Sequence, residues 1–277
     1  MAAFAVLASV AWSRTATLTL AGGISLGRGG DLAQALQGQT DYLKTEYGAS
    51  GGFAFPSLGW AASAEVLFHL RPWLALGFGT GYERRSRTGR VAYSASGYEV
   101  VATIRPGVAV VPLTGNLHVL VPLSRRVKLD LSAGGGAYWT RLAWDDGFLA
   151  SGWGMTGTDV YAFRASRWAF GFQGGIGLEV GLSEKAAMVV QIKGRSAAVS
   201  GFVGDWTEKG QGDLWDFSER GGDHRIYLYD WSSGGKSYPL AVLQADPPTG
   251  ALISNVREAG IDITGVIATV GLKIAIF

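Results

Sequence analysis

The sequence predicts an all-β fold: an eight-stranded antiparallel transmembrane β-barrel with long extracellular loops at one end and short periplasmic turns at the other. Three observations predict it. Strand-length segments alternate apolar and polar side chains with a period of two, charged residues recur inside those segments, and very short connections alternate strictly with very long ones.

The composition fits. Of the 277 residues 48% are hydrophobic and 17% charged, mean hydropathy is +0.18, and 42 are glycine. No stretch approaches the roughly 18 consecutive apolar residues of a membrane-crossing helix. The absence of cysteine removes disulfides, thiolate chemistry and Cys-based zinc sites. A net charge of +2 without a basic helix or an aromatic RNA-binding motif argues against nucleic acid as a partner, and no cofactor or metal is expected.

The elements follow in order. Residues 1–13 are apolar and end near Ser9-Val10-Ala11, a small-residue pattern of the signal-peptidase type, and are expected to be a signal-peptide remnant. Residues 14–277 then form a single barrel domain. The first strand runs Thr15 to Gly27. Asp31, as cap, with Leu32, Leu36 and Leu43 at helical spacing, predicts a short loop helix. Pro56 and Gly59 precede a second strand, Trp60 to Leu70, and Arg71-Pro72 turns tightly into a third, Leu74 to Glu83. Arg84 to Arg90 reads as a loop. The fourth strand runs from about Tyr98 to Leu123, with bulges or a break at Pro106 and Pro112. Ser124 to Arg126 turns into the fifth, Val127 to Trp144, and Asp145 to Arg167 reads as a second long loop. The sixth strand, Ala169 to Ser183, turns at Glu184-Lys185 into the seventh, Met188 to Val199. A third long segment, with a strand-like His224 to Trp231, leads to the eighth, Ile263 to Phe277. That segment suits a hairpin above the membrane; a ten-stranded barrel is the alternative.

Alternation assigns the two faces. The continuous apolar band is carried by Trp60, Ala62, Ala64, Val66, Phe68, Leu70, Leu74, Leu76, Phe78, Leu117, Val119, Val121, Phe170, Phe172, Ile176, Leu178, Val180, Met188, Val190 and Ile192. The opposite face holds Glu65, His69, Asn116, His118, Lys128, Asp130, Gln173, Glu179, Gln191, Lys193 and Arg195. A soluble barrel would bury the first set. Two features put lipid against it instead. Glycines 77, 79, 81, 134, 136, 171, 175, 177 and 181 share the polar face, where a narrow eight-stranded interior needs bare backbone to admit long charged side chains. Trp60, Trp73, Tyr82, Trp139, Trp144, Trp168 and Trp206 fall at or near strand ends, where interfacial aromatic girdles belong.

With these features the chain resembles the small outer-membrane barrels, the OmpA transmembrane domain and its OmpX-like and OmpW-like relatives, over residues 14–277 as architecture. The resemblance implies residence in a Gram-negative-type outer membrane as a monomer, contact with outer-membrane lipid and lipopolysaccharide, and insertion by the barrel-assembly machinery. Phe277 looks like the terminal aromatic recognised by that machinery, although it falls on the opposite parity from Leu272 and Ile274. No catalytic motif accompanies the resemblance.

For function, the interior polar set reads as a salt-bridge network filling the barrel, with a gated polar path as the sharper alternative. Arg84, Arg85, Arg87, Arg90, Arg141, Arg164 and Arg167 are placed to contact lipopolysaccharide phosphates or to form a solvated rim. Asp205, Glu208, Asp213, Asp216, Glu219 and Asp223 lack the spacing of a calcium loop. No Ser, His and acid constellation stands out, so the expectation is a non-enzymatic structural or surface-interaction protein. Passage of small or hydrophobic molecules, as in OmpW-like barrels, is the alternative, and a lipid-modifying enzyme is third.

Overall fold

The computed structural model describes residues 16–213 and 215–276; the segment expected to be a signal-peptide remnant and Phe277 lie outside these residues. In chain order the elements are β1 (Ala16–Gly27), α1 (Asp31–Tyr47), β2 (Ser50–Gly52), β3 (Leu58–Arg71), β4 (Leu74–Ser86), β5 (Gly89–Ala95), β6 (Tyr98–Pro122), β7 (Val127–Gly152) and β8 (Met155–Gly181). Then come β9 (Ala186–Ser196), β10 (Ala198–Val199), β11 (Val203–Gly212), β12 (Asp216–Ser233), β13 (Lys236–Gln244), β14 (Ile253–Glu258), β15 (Ile261–Asp262) and β16 (Gly265–Ala275).

A ring of eight strands closes on itself. β1, β3, β4, β6, β7, β8, β9 and β16 pair antiparallel in that order, and β16 returns to β1 with Leu20 opposite Leu272. Closure satisfies every edge of these strands, which an open sheet of this length would leave as unpaired backbone. The eight members coincide with the eight strands read from the alternation.

The apolar parity faces outward around the whole ring. Leu20, Ile24, Trp60, Phe78, Leu113, Leu117, Leu131, Phe170, Phe172, Ile176, Val190, Ile192, Val266 and Val270 are all exposed, Phe170 at 82%. From Trp60 to Leu70 on β3, ten steps of about 3.3 Å at a tilt near 40° span roughly 25 Å, the height of a barrel's lipid-facing band. The polar parity faces inward.

The largest departures from expectation lie above the band. Asp145 to Arg167 is not a loop: β7 and β8 remain paired, register unbroken, to Gly152 opposite Met155. The hairpin reverses at Trp153-Gly154, both with positive φ (54° and 75°), and Ser96-Gly97 and Gly234-Gly235 close two further hairpins in the same way. These two-residue turns match strand twist, so they let strands run to their full length. Arg84 to Arg90 is likewise mostly strand, β4 to Ser86 and β5 from Gly89. Neither proline breaks β6. Pro106 sits where β6 exchanges β4 for β5 as neighbour, and Pro112 lies in a gap of the β4 ladder between Val110 and Leu113.

These extensions, joined by β5 and β2 on one flank and by β11, β12, β13 and β14 on the other, form a head around α1. The helix is longer than expected, 17 residues, and Leu32, Leu36 and Leu43 are buried as its spacing requires. It packs into a core with Val91, Ile104, Leu142, Phe163, Ile226, Leu228 and Ile261. Asp31 does not cap it; Gly30 holds the N-cap, and the Asp31 carboxylate accepts hydrogen bonds from the Gly260 N–H and from Arg257, tying the helix start to the segment leading into β15. At the other end Gly48, at φ 63°, supplies the left-handed cap.

Candidate functional site

The interior is a layered network built from alternate residues of separate strands. At the tight-turn end Lys273 pairs with Glu179, His69 Nε2 lies 3.3 Å from Thr17 Oγ1, and Lys128 stands exposed at the mouth. One layer up, His118 is fully buried between two carboxylates, Nδ1 at 2.9 Å from Asp130 and Nε2 at 3.1 Å from Glu65. A carboxylate only accepts, so both ring nitrogens donate and the imidazole carries charge. Glu65 also takes Lys193 at 3.0 Å and Asn116 at 2.6 Å; Gln173 bonds Asn116, and Gln191 reaches Asp130 at 3.4 Å. Above that, Arg195 grips Glu83 through its two terminal nitrogens, Nη1 and Nη2, and donates from Nε to the Ile263 carbonyl, while lying 5.2 Å over the Tyr138 ring.

The glycine argument holds where the contacts are tightest. A Cβ on Gly77 would sit 2.8 Å from Glu65 Oε1 and 2.9 Å from His118 Nε2, so the bond between those side chains runs directly over bare backbone. All eleven interior residues expected from alternation face inward, and the network joins most of them.

Sequence reading missed Glu83 and Lys273 and misplaced Arg85. All three follow from parity: Glu83 and Arg85 continue the Gly77, Gly79, Gly81 face, and Lys273 alternates with Leu272 and Ile274. Arg85 was assigned to the rim because β4 was ended at Glu83. It is instead 1% exposed inside the barrel, its guanidinium against Gly27, with neither Nη atom hydrogen-bonded among the described residues.

The interior is filled. His118, Tyr138, Leu120 and Ala75, each at 1% exposure or less, occupy the cross-section. A cavity of about 50 Å³, bordered by Glu65, Glu83, Thr114, Lys193, Arg195 and Thr269 among apolar neighbours, has room for a water or two.

On the outer wall, Trp60 and Tyr82 pack at 5.3 Å and Trp139 and Trp168 at 6.5 Å, forming a girdle at the upper edge of the band, with Trp73 exposed at the lower turn. Trp144 and Trp206 do not join it. Trp144 is inward on the extended β7 and buried in the head core; Trp206 is stacked between Tyr161 and His224. The predicted rim arginines, Arg85 apart, are exposed, but only some converge. Arg84, Arg141 and Arg164, together with Arg105, line a groove of about 660 Å³ directly above the girdle, whereas Arg87, Arg90 and Arg167 lie outside it. Pairing puts Arg84, Ala109 and Arg141 in one cross-strand row, and Gly107, Ala143 and Arg164 in the next. Adjacent strands are about 4.8 Å apart, so Arg84 and Arg141 flank an alanine at a separation of roughly 10 Å, within reach of one phosphate. Arg141 lies 5.2 Å over the Trp139 ring. The groove's acids are higher: Asp145 is held by Arg164 at 2.5 Å, and Asp205 lies opposite Arg164 on β11.

No family model matches the chain, and no curated protein matches it. Among solved structures, the outer membrane protease OmpT from Escherichia coli aligns over 96% of this chain and 98% of its own, at 11% identity and a TM-score of 0.32. The RagAB peptide importer in its closed-closed state aligns over 93% of this chain and 40% of its own, at 11% identity and a TM-score of 0.15. Likeness at these scores carries no weight for activity, and the barrel assignment rests on the strand pairing described above.

Proposed function

We propose that this chain is a sealed β-barrel of a bacterial outer membrane, monomeric and non-enzymatic, which anchors an extracellular head and engages phosphate-bearing outer-leaflet glycolipid at its rim. The observation that carries the reading is the inversion of the two faces: exposed apolar side chains surround all eight strands while Glu65, Glu83, His118, Asp130, Glu179 and Arg195 are buried within. Water would penalise the first arrangement and lipid rewards it. The arginine groove supports the partner, since charged forks directly above a tryptophan girdle meet the membrane at headgroup depth. A hydrolytic role lacks support from the histidines: His118 is committed to two carboxylates, His69 faces Thr17, and His224 lies flat on Trp206. The filled cross-section likewise gives no support to passage through the interior.

The test is retention of lipopolysaccharide by the purified barrel, read by native mass spectrometry, for the wild type and Arg84→Ala/Arg141→Ala. Loss of two charge-assisted contacts worth about 1.5–3 kcal/mol each should lower retention at least tenfold. Equal retention in a folded double variant would overturn the lipid assignment. Trp60 and Trp168 emission that brominated lipid chains fail to quench would overturn the membrane placement itself.

A further inference from the structure

The inner face of the head, apolar over most of its area, is interrupted by acids. Asp146 on β7, Asp159 on β8, Glu208 on β11 and Glu219 on β12 share the inward parity, linked through Tyr161, which lies opposite both Asp146 and Glu208. Glu208 and Glu219 are direct cross-strand partners, a like-charge pairing that costs stability unless something positive lies between or beside them. The nearby cations do not pair with them, because Lys209 and Arg220 take the alternate positions of the same two strands, although Glu219 itself reaches solvent. None of the four acids is in an ion pair among the described residues. Asp159 and Glu208 lie within side-chain hydrogen-bonding reach of each other, and Asp159 Oδ1 is buried without a hydrogen-bond partner among the described residues.

Asp146 borders a cavity of about 230 Å³ between α1 and the sheet, walled by the rings of Trp144 and Tyr161, the amide-bearing Gln39, and Ile226 and Leu243. Tyr161 is held in place by its stack on Trp206, which stacks in turn on His224. The acids do not converge as a metal site: among the described residues no three His, Asp or Glu side chains come together closely enough to hold an ion. A carboxylate at the edge of an aromatic and aliphatic pocket instead suits a cation whose charge is attached to an apolar body. At about 30 Å³ per water-sized group the cavity admits roughly seven or eight non-hydrogen atoms.

We propose that this pocket binds a small organic cation, an alkylammonium or alkylguanidinium of amino-acid size, with its charge against Asp146 and its chain against Trp144, Tyr161, Ile226 and Leu243. Asp159, Glu208 and Glu219 draw the cation toward the head. Burial and the charge of Asp159 hold the Glu208 carboxyl above its ordinary range, as expected of acids gathered without counter-ions.

The probe is n-pentylamine, protonated at neutral pH, titrated into the folded protein in detergent and followed by tryptophan emission and calorimetry, with 1-pentanol as the uncharged counterpart. Saturable binding of pentylammonium, at least tenfold weaker for pentanol and at least tenfold weaker in Asp146→Asn, is the expected result. Leu243→Trp fills the cavity from the wall that β13 supplies, without removing an acid, and should abolish binding while the barrel keeps its heat-modifiable folded form, which separates loss of the pocket from loss of the fold. Absence of saturation up to about ten millimolar, equal affinity for the alcohol, or undiminished binding in Leu243→Trp would overturn the assignment.

Discussion

Removing the His118 side chain tests the interior most directly. In His118→Ala, Glu65 keeps Lys193 at 3.0 Å and Asn116 at 2.6 Å, but Asp130, 2% exposed, keeps only a 3.4 Å contact from Gln191. A buried carboxylate stripped of its partner costs about 3–5 kcal/mol, most of it the desolvation of the stranded charge rather than the strength of the lost bond. Neutralising that charge should therefore recover much of the loss, and His118→Ala/Asp130→Asn should be less damaged than the sum of its parts by about 2 kcal/mol, inside the range for residues in direct contact. The assay is reversible urea unfolding in lipid vesicles followed by tryptophan emission, with the slope checked for constancy so that midpoint shifts report stability. A cost below about 1 kcal/mol for His118→Ala, or additivity within about 0.5 kcal/mol in the cycle, would refute the reasoning: the ring would then be a space filler and not the bridge between two charges.

Three further outcomes are expected. Alanine at Gly77 intrudes on the bond between Glu65 and His118 and should cost about 1–3 kcal/mol; at Gly79 the nearest atom is Thr114 Oγ1 at 3.1 Å and the cost should be smaller, and at Gly115, with nothing within 4 Å, close to zero, an order checked by urea midpoints. In planar bilayers the folded wild type should show no stable ion steps, because the cross-section is occupied; steps altered by Lys193→Ala would restore the gated path. Burial pushes the Asp146 carboxyl up to about 6, its bond from the Gly147 N–H opposing and the charge of Asp159 adding to the rise. The folded head thus takes up a proton that the unfolded chain, with a carboxyl near 3.9, does not, so this contribution is present at low pH and is lost as pH rises from roughly 4 to 6, by at most about 3 kcal/mol. Asp146→Asn should flatten that slope in pH-dependent unfolding of the head and leave the protein more stable than wild type above pH 6.

The alternation of β3, β4, β7, β8 and β9 by itself determined which side chains face inward, because a strand's side chains take opposite faces whatever surrounds it. Charged residues on the glycine-bearing parity then showed that the greasy face looks out. The same rule also held the positions of Glu83 and Lys273, which lay within the strands as read and were passed over, and of Arg85, which was lost where its strand was ended too early. Tertiary structure decided where strands stop. Whether Asp145 to Arg167 is loop or ladder depends on three hairpin tips that accept positive φ and on a helix that covers the extended wall, and Trp144 became a core residue through that continuation. It also decided who pairs with whom. His118, Asp130 and Glu65 come from three strands, and their meeting depends on the register of each adjoining ladder and on the closure of β16 against β1. Local alternation fixes a direction for each side chain, whereas a distance between side chains depends on the cooperative register of the closed ring, which no single segment contains.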